Sequence, residues 1–87
     1  MTTNLDRRSA MQWDVTSDVL AVTEDGHVVL VKAGASPTRN EFKTGYDGVD
    51  YAECVFASPL GFAGAYVKAS GLVNPRLASA KGLLPAA

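Results

Sequence analysis

His27, Cys54 and the acidic residues Asp47, Asp50 and Glu53 are the side chains through which this 87-residue chain could do chemistry. A histidine can serve as a general base or a metal ligand, but none of the serines, carboxylates or the cysteine stands at a spacing that would form a relay with His27. It sits beside a predicted turn and is expected to be an exposed turn residue. Cys54 falls within a predicted strand, with nothing basic beside it to lower the thiol pKa, and is expected to be buried and inert. A single cysteine excludes an intrachain disulfide, and one histidine with one cysteine leaves a four-ligand zinc site short of donors. The three acidic residues recur every third position around Gly48, whereas a calcium loop of the EF-hand type needs acidic ligands at alternate positions, glycine at the sixth and glutamate at the twelfth. Gly61, Gly64 and Gly71 lack the lysine or the strand-to-helix context of a phosphate-cradling loop. Tyr46, Tyr51, Phe56, Phe62 and Tyr66 could stack single-stranded bases, but few cations accompany them, so core or interface packing is expected. No catalytic, cofactor-binding or metal-ligating residue is assigned, no cofactor is implied, and the chain is read as a non-enzyme.

Eight basic and nine acidic residues give a net charge of −1. Apart from Arg7-Arg8 the basic residues stand singly, which disfavours nucleic acid as a main partner, because a basic patch or stripe carries most of such affinity. Apolar runs of four to six residues fall far short of the ~20 that cross a bilayer as a helix. The Arg7-Arg8 pair has no apolar stretch behind it, so no export signal is read, and cytoplasmic synthesis is expected. A chain this short buries only about 60–65% of its unfolded surface. Without a disulfide or a metal, its stability must come from packing or from association.

The elements that must position these residues are chiefly strands. Val19 to Lys32 places two β-branched runs on either side of Asp25-Gly26, a strong hairpin signal. With Asp25 and Gly26 as the centre of a type I′ turn, Thr23 pairs with Val28, Val22 with Val29 and Ala21 with Leu30. Leu20, Val22, Val29 and Val31 then share one face, and Val19, Ala21, Thr23, Val28, Leu30 and Lys32 share the other. Both faces are apolar enough to need cover. The second of them, with Val19, Ala21, Val28 and Leu30, is predicted to be a protein interface together with Leu83 and Leu84 of the tail.

Residues 1–10 read as a polar N-terminal arm, 11–71 as a β domain and 72–87 as a C-terminal tail. Within the domain, Met11, Trp13 and Val15 alternate with polar residues as in a half-buried strand anchored by Trp13. The polar stretch from Thr38 to Asp50 reads as an exposed loop. A second hairpin runs from Val49 to Ala57, turns through Ser58-Pro59-Leu60-Gly61 as a type I turn, and returns over Phe62 to Ala69. In the tail, Asn74 at an N-cap, Pro75 at the first helical position, Lys81 in the last turn and Gly82 just beyond predict a short helix.

The expected fold is therefore mainly β: a small antiparallel β-sandwich or partly open barrel built from two hairpins, with an N-terminal arm and a short C-terminal helix. The expected function is that of a structural subunit working through protein–protein contacts, as a homo-oligomer or within a larger assembly, with no membrane partner. The composition, rich in Ala, Gly, Val, Ser and Thr, near neutral and poor in lysine, resembles that of small virion proteins of tailed bacteriophages, such as capsid decoration or head–tail connector subunits. That resemblance implies a location in the virion. The alternatives are a small phage or bacterial regulator that binds and inhibits a host protein, and an oligonucleotide-binding β-barrel.

Overall fold

Thr23 decides how the first hairpin turns. Its hydroxyl accepts the His27 N–H at 2.9 Å and donates to Asp25 at 2.6 Å. The backbone closes Gly26 N–H onto Thr23 C=O and Thr23 N–H onto His27 C=O. The loop therefore has three residues, Glu24 to Gly26, with the left-handed conformation needed only at Gly26 (φ 93°). A type I′ turn would require it at Asp25 as well. Thr23 opposes His27, and the register becomes Val22 with Val28, Ala21 with Val29, Leu20 with Leu30 and Val19 with Val31. This is one residue away from the expected register, and a one-residue slip turns every side chain of the second strand to the other face.

The computed structural model describes residues 7–77. Among them, the strands are β1 (Met11–Val15), β2 (Val19–Thr23), β3 (Val28–Val31), β4 (Arg39–Thr44), β5 (Asp50–Ser58), β6 (Gly61–Lys68) and β7 (Leu72–Leu77). They form two antiparallel sheets, one of five strands in the order β3-β2-β6-β5-β4 and one of two strands, β1-β7. The second hairpin forms as expected, with Ser58 opposite Gly61 across Pro59-Leu60. The core draws on both sheets: Val15, Ala21, Val31, Phe42, Ala52, Cys54, Phe56, Ala63 and Leu72, with Trp13 packed beside them.

Two expectations are corrected. The stretch from Thr38 to Asp50 is not all loop, because β4 pairs with β5 and buries Asn40 and Phe42. Asn40 tolerates burial because its amide donates to Met11 C=O at 3.1 Å. The helix expected from Asn74 does not begin there: residues 72–77 are a strand paired with β1. Asn74 adopts φ 58°, and with Pro75, which has no N–H to donate, it fills the bulge opposite Trp13. The rest of that helix, Leu83 and Leu84 lie outside the described residues, as do residues 1–6 of the arm. The remainder of the arm is a docked 3₁₀ turn, Arg7–Ala10. Its Ser9 hydroxyl accepts the Phe42 N–H at 2.9 Å, and its Arg8 guanidinium lies 4.5 Å from the Phe42 ring centre.

Asp14 ties the two ends of the fold together. Its carboxylate accepts two hydrogen bonds from Arg76 (2.8 and 3.2 Å), one from Asn74 (3.1 Å) and one from Ser36. These donors, Arg76 foremost, hold the Asp14 carboxyl well below the usual carboxylate range. The stabilisation is complete above the unfolded value near ~3.9 and is lost as pH falls through that value towards the lower folded one. Asp14→Asn is expected to cost about 1–2 kcal/mol at pH 7, the lower part of the range for charged hydrogen bonds because Arg76 is partly exposed. Thermal melts from pH 7 to pH 2 should show a shallower acid limb for the variant than for the parent chain.

Candidate protein-docking face

Alternation along five paired strands sorts their side chains onto two faces. The inner face carries Ala21 on β2, Ala63 and the half-buried Ala65 on β6, and Ala52, Cys54 and Phe56 on β5. The outer face carries Val28 and Leu30 from β3, Leu20 and Val22 from β2, Phe62 and Tyr66 from β6, Tyr51, Glu53 and Val55 from β5, and Arg39, Glu41 and Lys43 from β4. One row crosses the whole sheet: Val28, Val22, Gly64, Val55 and Arg39 are successive cross-strand partners.

The outer face is apolar at one end and charged at the other. Over β3, β2 and β6 the large apolar side chains are exposed, from 50% at Val22 to 70% at Tyr66. Over β4 and β5, Lys43 is paired with Glu53 at 2.9 Å, which lowers the Glu53 pKa and raises that of Lys43. Beside the apolar region, at the end of β2 and β6 where both hairpins turn, lies an open depression of about 690 Å³, lined among others by Val22, Glu24, Asp25, Val55, Phe62 and Gly64. Gly64 contributes no side chain to it. A Cβ placed there would meet only Cys54 C=O, at 3.7 Å, an ordinary contact. Space for a partner's side chain thus adjoins a contiguous apolar patch, a combination that on soluble proteins marks interaction sites.

The predicted interface residues separate. Val28 and Leu30 lie on the open face, at 63% and 55% exposure. Ala21 is fully buried and Val19 packs against the core, and the three-residue turn puts Val28 and Leu30 on the face of Leu20 and Val22 instead of theirs. Leu20 and Val22, expected to be covered, are the exposed partners of Val28 and Leu30. Sequence reasoning also missed Phe62 and Tyr66 as members of the same face. Their signal was the alternation Phe62, Gly64, Tyr66, Lys68 against Ala63, Ala65, Val67, in which the smaller residues face inward.

The residues considered for chemistry do not converge. His27 is exposed in the turn, its Nδ1 3.1 Å from Asp25. Cys54 is fully buried, and burial pushes its thiol up to about 11. Asp47 accepts the Val49 N–H and the Tyr51 hydroxyl, Asp50 accepts the Thr44 hydroxyl and pairs with Arg8, and Glu53 is held by Lys43. Among the described residues no group of three His, Cys, Asp or Glu is placed to hold a metal ion, and no helix is long and apolar enough to cross a membrane. The aromatic residues do not form one platform: Phe56 is in the core while Phe62 and Tyr66 are on the outer face. Gly61 takes φ 111° after its turn, and Gly71 packs against Val67. Comparison with protein families, with curated proteins and with solved structures finds no match to this chain.

Proposed function

We propose that this chain is a non-enzymatic structural subunit that works by binding protein, with the outer face of its five-stranded sheet as the contact. The two sheets are read as a small sandwich, closed on the inner side and waiting for cover on the outer. The observation that carries this reading is the exposed row of Leu20, Val22, Val28, Leu30 and Phe62, which shares one sheet face with an open depression. An antiparallel sheet needs cover on only one face and normally presents polar side chains on the other. The apolar outer face here departs from that rule over three neighbouring strands. Composition supports a place in a virion, as a capsid decoration or head–tail connector subunit of a bacteriophage made in the host cytoplasm. An oligonucleotide-binding role has less support, because Phe62 stands among aliphatic side chains, Tyr66 lies opposite the acidic Glu53, and the nearby Lys43 is already paired with Glu53.

Static light scattering over a concentration series tests the assembly reading. The parent chain is expected to gain mass with concentration and to melt at a higher temperature when concentrated. The triple variant Leu20→Thr, Val22→Thr, Phe62→Thr keeps β-favouring residues at exposed positions. It is expected to gain less mass with concentration than the parent and to melt within a few degrees of the dilute parent. A folded parent monomer with a melting temperature independent of concentration overturns the reading.

A further inference from the structure

The two edges of the five-stranded sheet are finished differently. Beyond β4, Ser9 takes the outward Phe42 N–H, Asn40 reaches Met11 C=O, and Arg8 lies over the Phe42 ring. Flanking charges on Arg39, Glu41 and Lys43 add the kind of decoration that keeps an edge from pairing with another chain. β3 has none of this. Its four residues are Val28, Val29, Leu30 and Val31, without charge or proline. Hydrogen-bonded and non-bonded pairs alternate along an antiparallel ladder. Thr23 and His27 form a bonded pair, so the next are Ala21 with Val29 and Val19 with Val31. The N–H and C=O groups of Val28 and Leu30 therefore point away from β2, and among the described residues no strand pairs with that side.

We propose that β3 pairs antiparallel with β3 of a second copy of this chain, about a two-fold axis beside Val29, to make one continuous sheet. The inference rests on the assembly reading above and names its partner and geometry. In this register the N–H groups of Val28 and Leu30 in each copy donate to the C=O groups of Leu30 and Val28 in the other. Charge favours a second copy in this orientation. β3 begins just after the acidic turn Glu24-Asp25 and ends just before Lys32, which forms an ion pair with Asp18 at 3.2 Å while its side chain stays 73% exposed. An antiparallel two-fold brings each Lys32 beside the other copy's turn, so unlike charges meet at both ends, as an isologous contact requires. Pairing also keeps Val28 and Leu30 of both copies on one face. The apolar patch of one chain then runs without a break into that of the next, and the doubled face is what a larger assembly would grip.

Sedimentation equilibrium combined with amide hydrogen exchange tests this. The dimer should form with Val28 and Leu30 amides protected at high concentration and exchanging freely in the dilute monomer. Leu30→Pro removes a donor that faces the open edge and none that bonds β2, and is expected to weaken dimerisation at least tenfold. The exchange measurement on the parent chain decides the matter even if that variant fails to fold. A dimer whose Val28 and Leu30 amides still exchange freely uses the outer face instead, which overturns edge pairing and leaves the assembly reading standing. Protection of the same amides in the dilute monomer means that a segment of the chain itself covers the edge, and edge pairing is overturned. A parent chain that stays monomeric throughout overturns both.

Discussion

Ala21→Asp will abolish the fold, while Val22→Asp, one residue along, will leave a folded chain that no longer associates through its outer face. Ala21 is fully buried in the core and Val22 is half-exposed on the outer face. No cation is described beside Ala21 to neutralise a carboxylate, so an aspartate there is an uncompensated buried charge, or a neutral acid without hydrogen-bond partners. Either way the loss is about 4 kcal/mol or more, the range reached only by a few mechanisms of core damage. At Val22 the carboxylate stays in water and the change in folding stability is expected to be within about 1 kcal/mol. Far-ultraviolet circular dichroism and urea titration of the two variants separate these outcomes. The type I′ register expected from sequence also put Ala21 and Val22 on opposite faces, but with Val22 covered and Ala21 at the interface. The pair of variants therefore shows which face of β2 is covered. A folded Ala21→Asp with an unfolded Val22→Asp would overturn the observed orientation.

Phe42→Ala is expected to cost about 3–5 kcal/mol, against a total of about 4–13 kcal/mol for a domain of this length. The ring is 6% exposed. It sits 5.5 Å from the Trp13 ring at an interplanar angle of 54°, a tilted arrangement that adds to the area it buries. Removing it leaves a cavity and takes the support from the 3₁₀ turn Arg7–Ala10, which touches β4 through Arg8 and Ser9. Phe42→Leu keeps most of the volume and should cost about 1.5 kcal/mol or less. Chemical denaturation gives both values, and tryptophan fluorescence adds a local readout, since Trp13 is the chain's single tryptophan. A Phe42→Ala loss under about 1 kcal/mol would show that Trp13 and the turn hold without the ring.

The strand content of this fold was legible because alternation is strict wherever one face is buried. β5 and β6 were legible from the turn residues Ser58-Pro59-Leu60-Gly61 between two β-favouring runs, although which of their faces is buried was not. β4 obeyed the same pattern, with Asn40 and Phe42 inward and Arg39, Glu41 and Lys43 outward. It read as a loop because one of its two inward residues is polar, and the Met11 carbonyl that satisfies Asn40 is 29 residues away. The hairpin register turned on the Thr23 hydroxyl, a local group whose competition with the Asp-Gly preference is settled only when its partners are in place. Asn74-Pro75 carried a helix-start signature, but those residue types also suit a bulge, and pairing with β1 selects the bulge. The apolar excess of the first hairpin was visible from composition alone. That it continues onto β6 through Phe62 and Tyr66 depends on β2 lying beside β6, which no local pattern encodes.

The pairing of β1 with β7 has a kinetic consequence. Asp14 and Arg76 meet although 62 residues separate them, so joining these strands closes nearly the whole described chain into a loop. The entropy of that closure is offset only after the hairpins have brought the two ends together. The two-stranded sheet is therefore the last part of the fold to assemble and the first to open. When it opens, the alanine-rich inner face comes into contact with water while the outer face is already apolar. A chain caught at that stage is a sheet without a polar side, so early capture by a partner would shorten its exposure to aggregation as well as build the assembly.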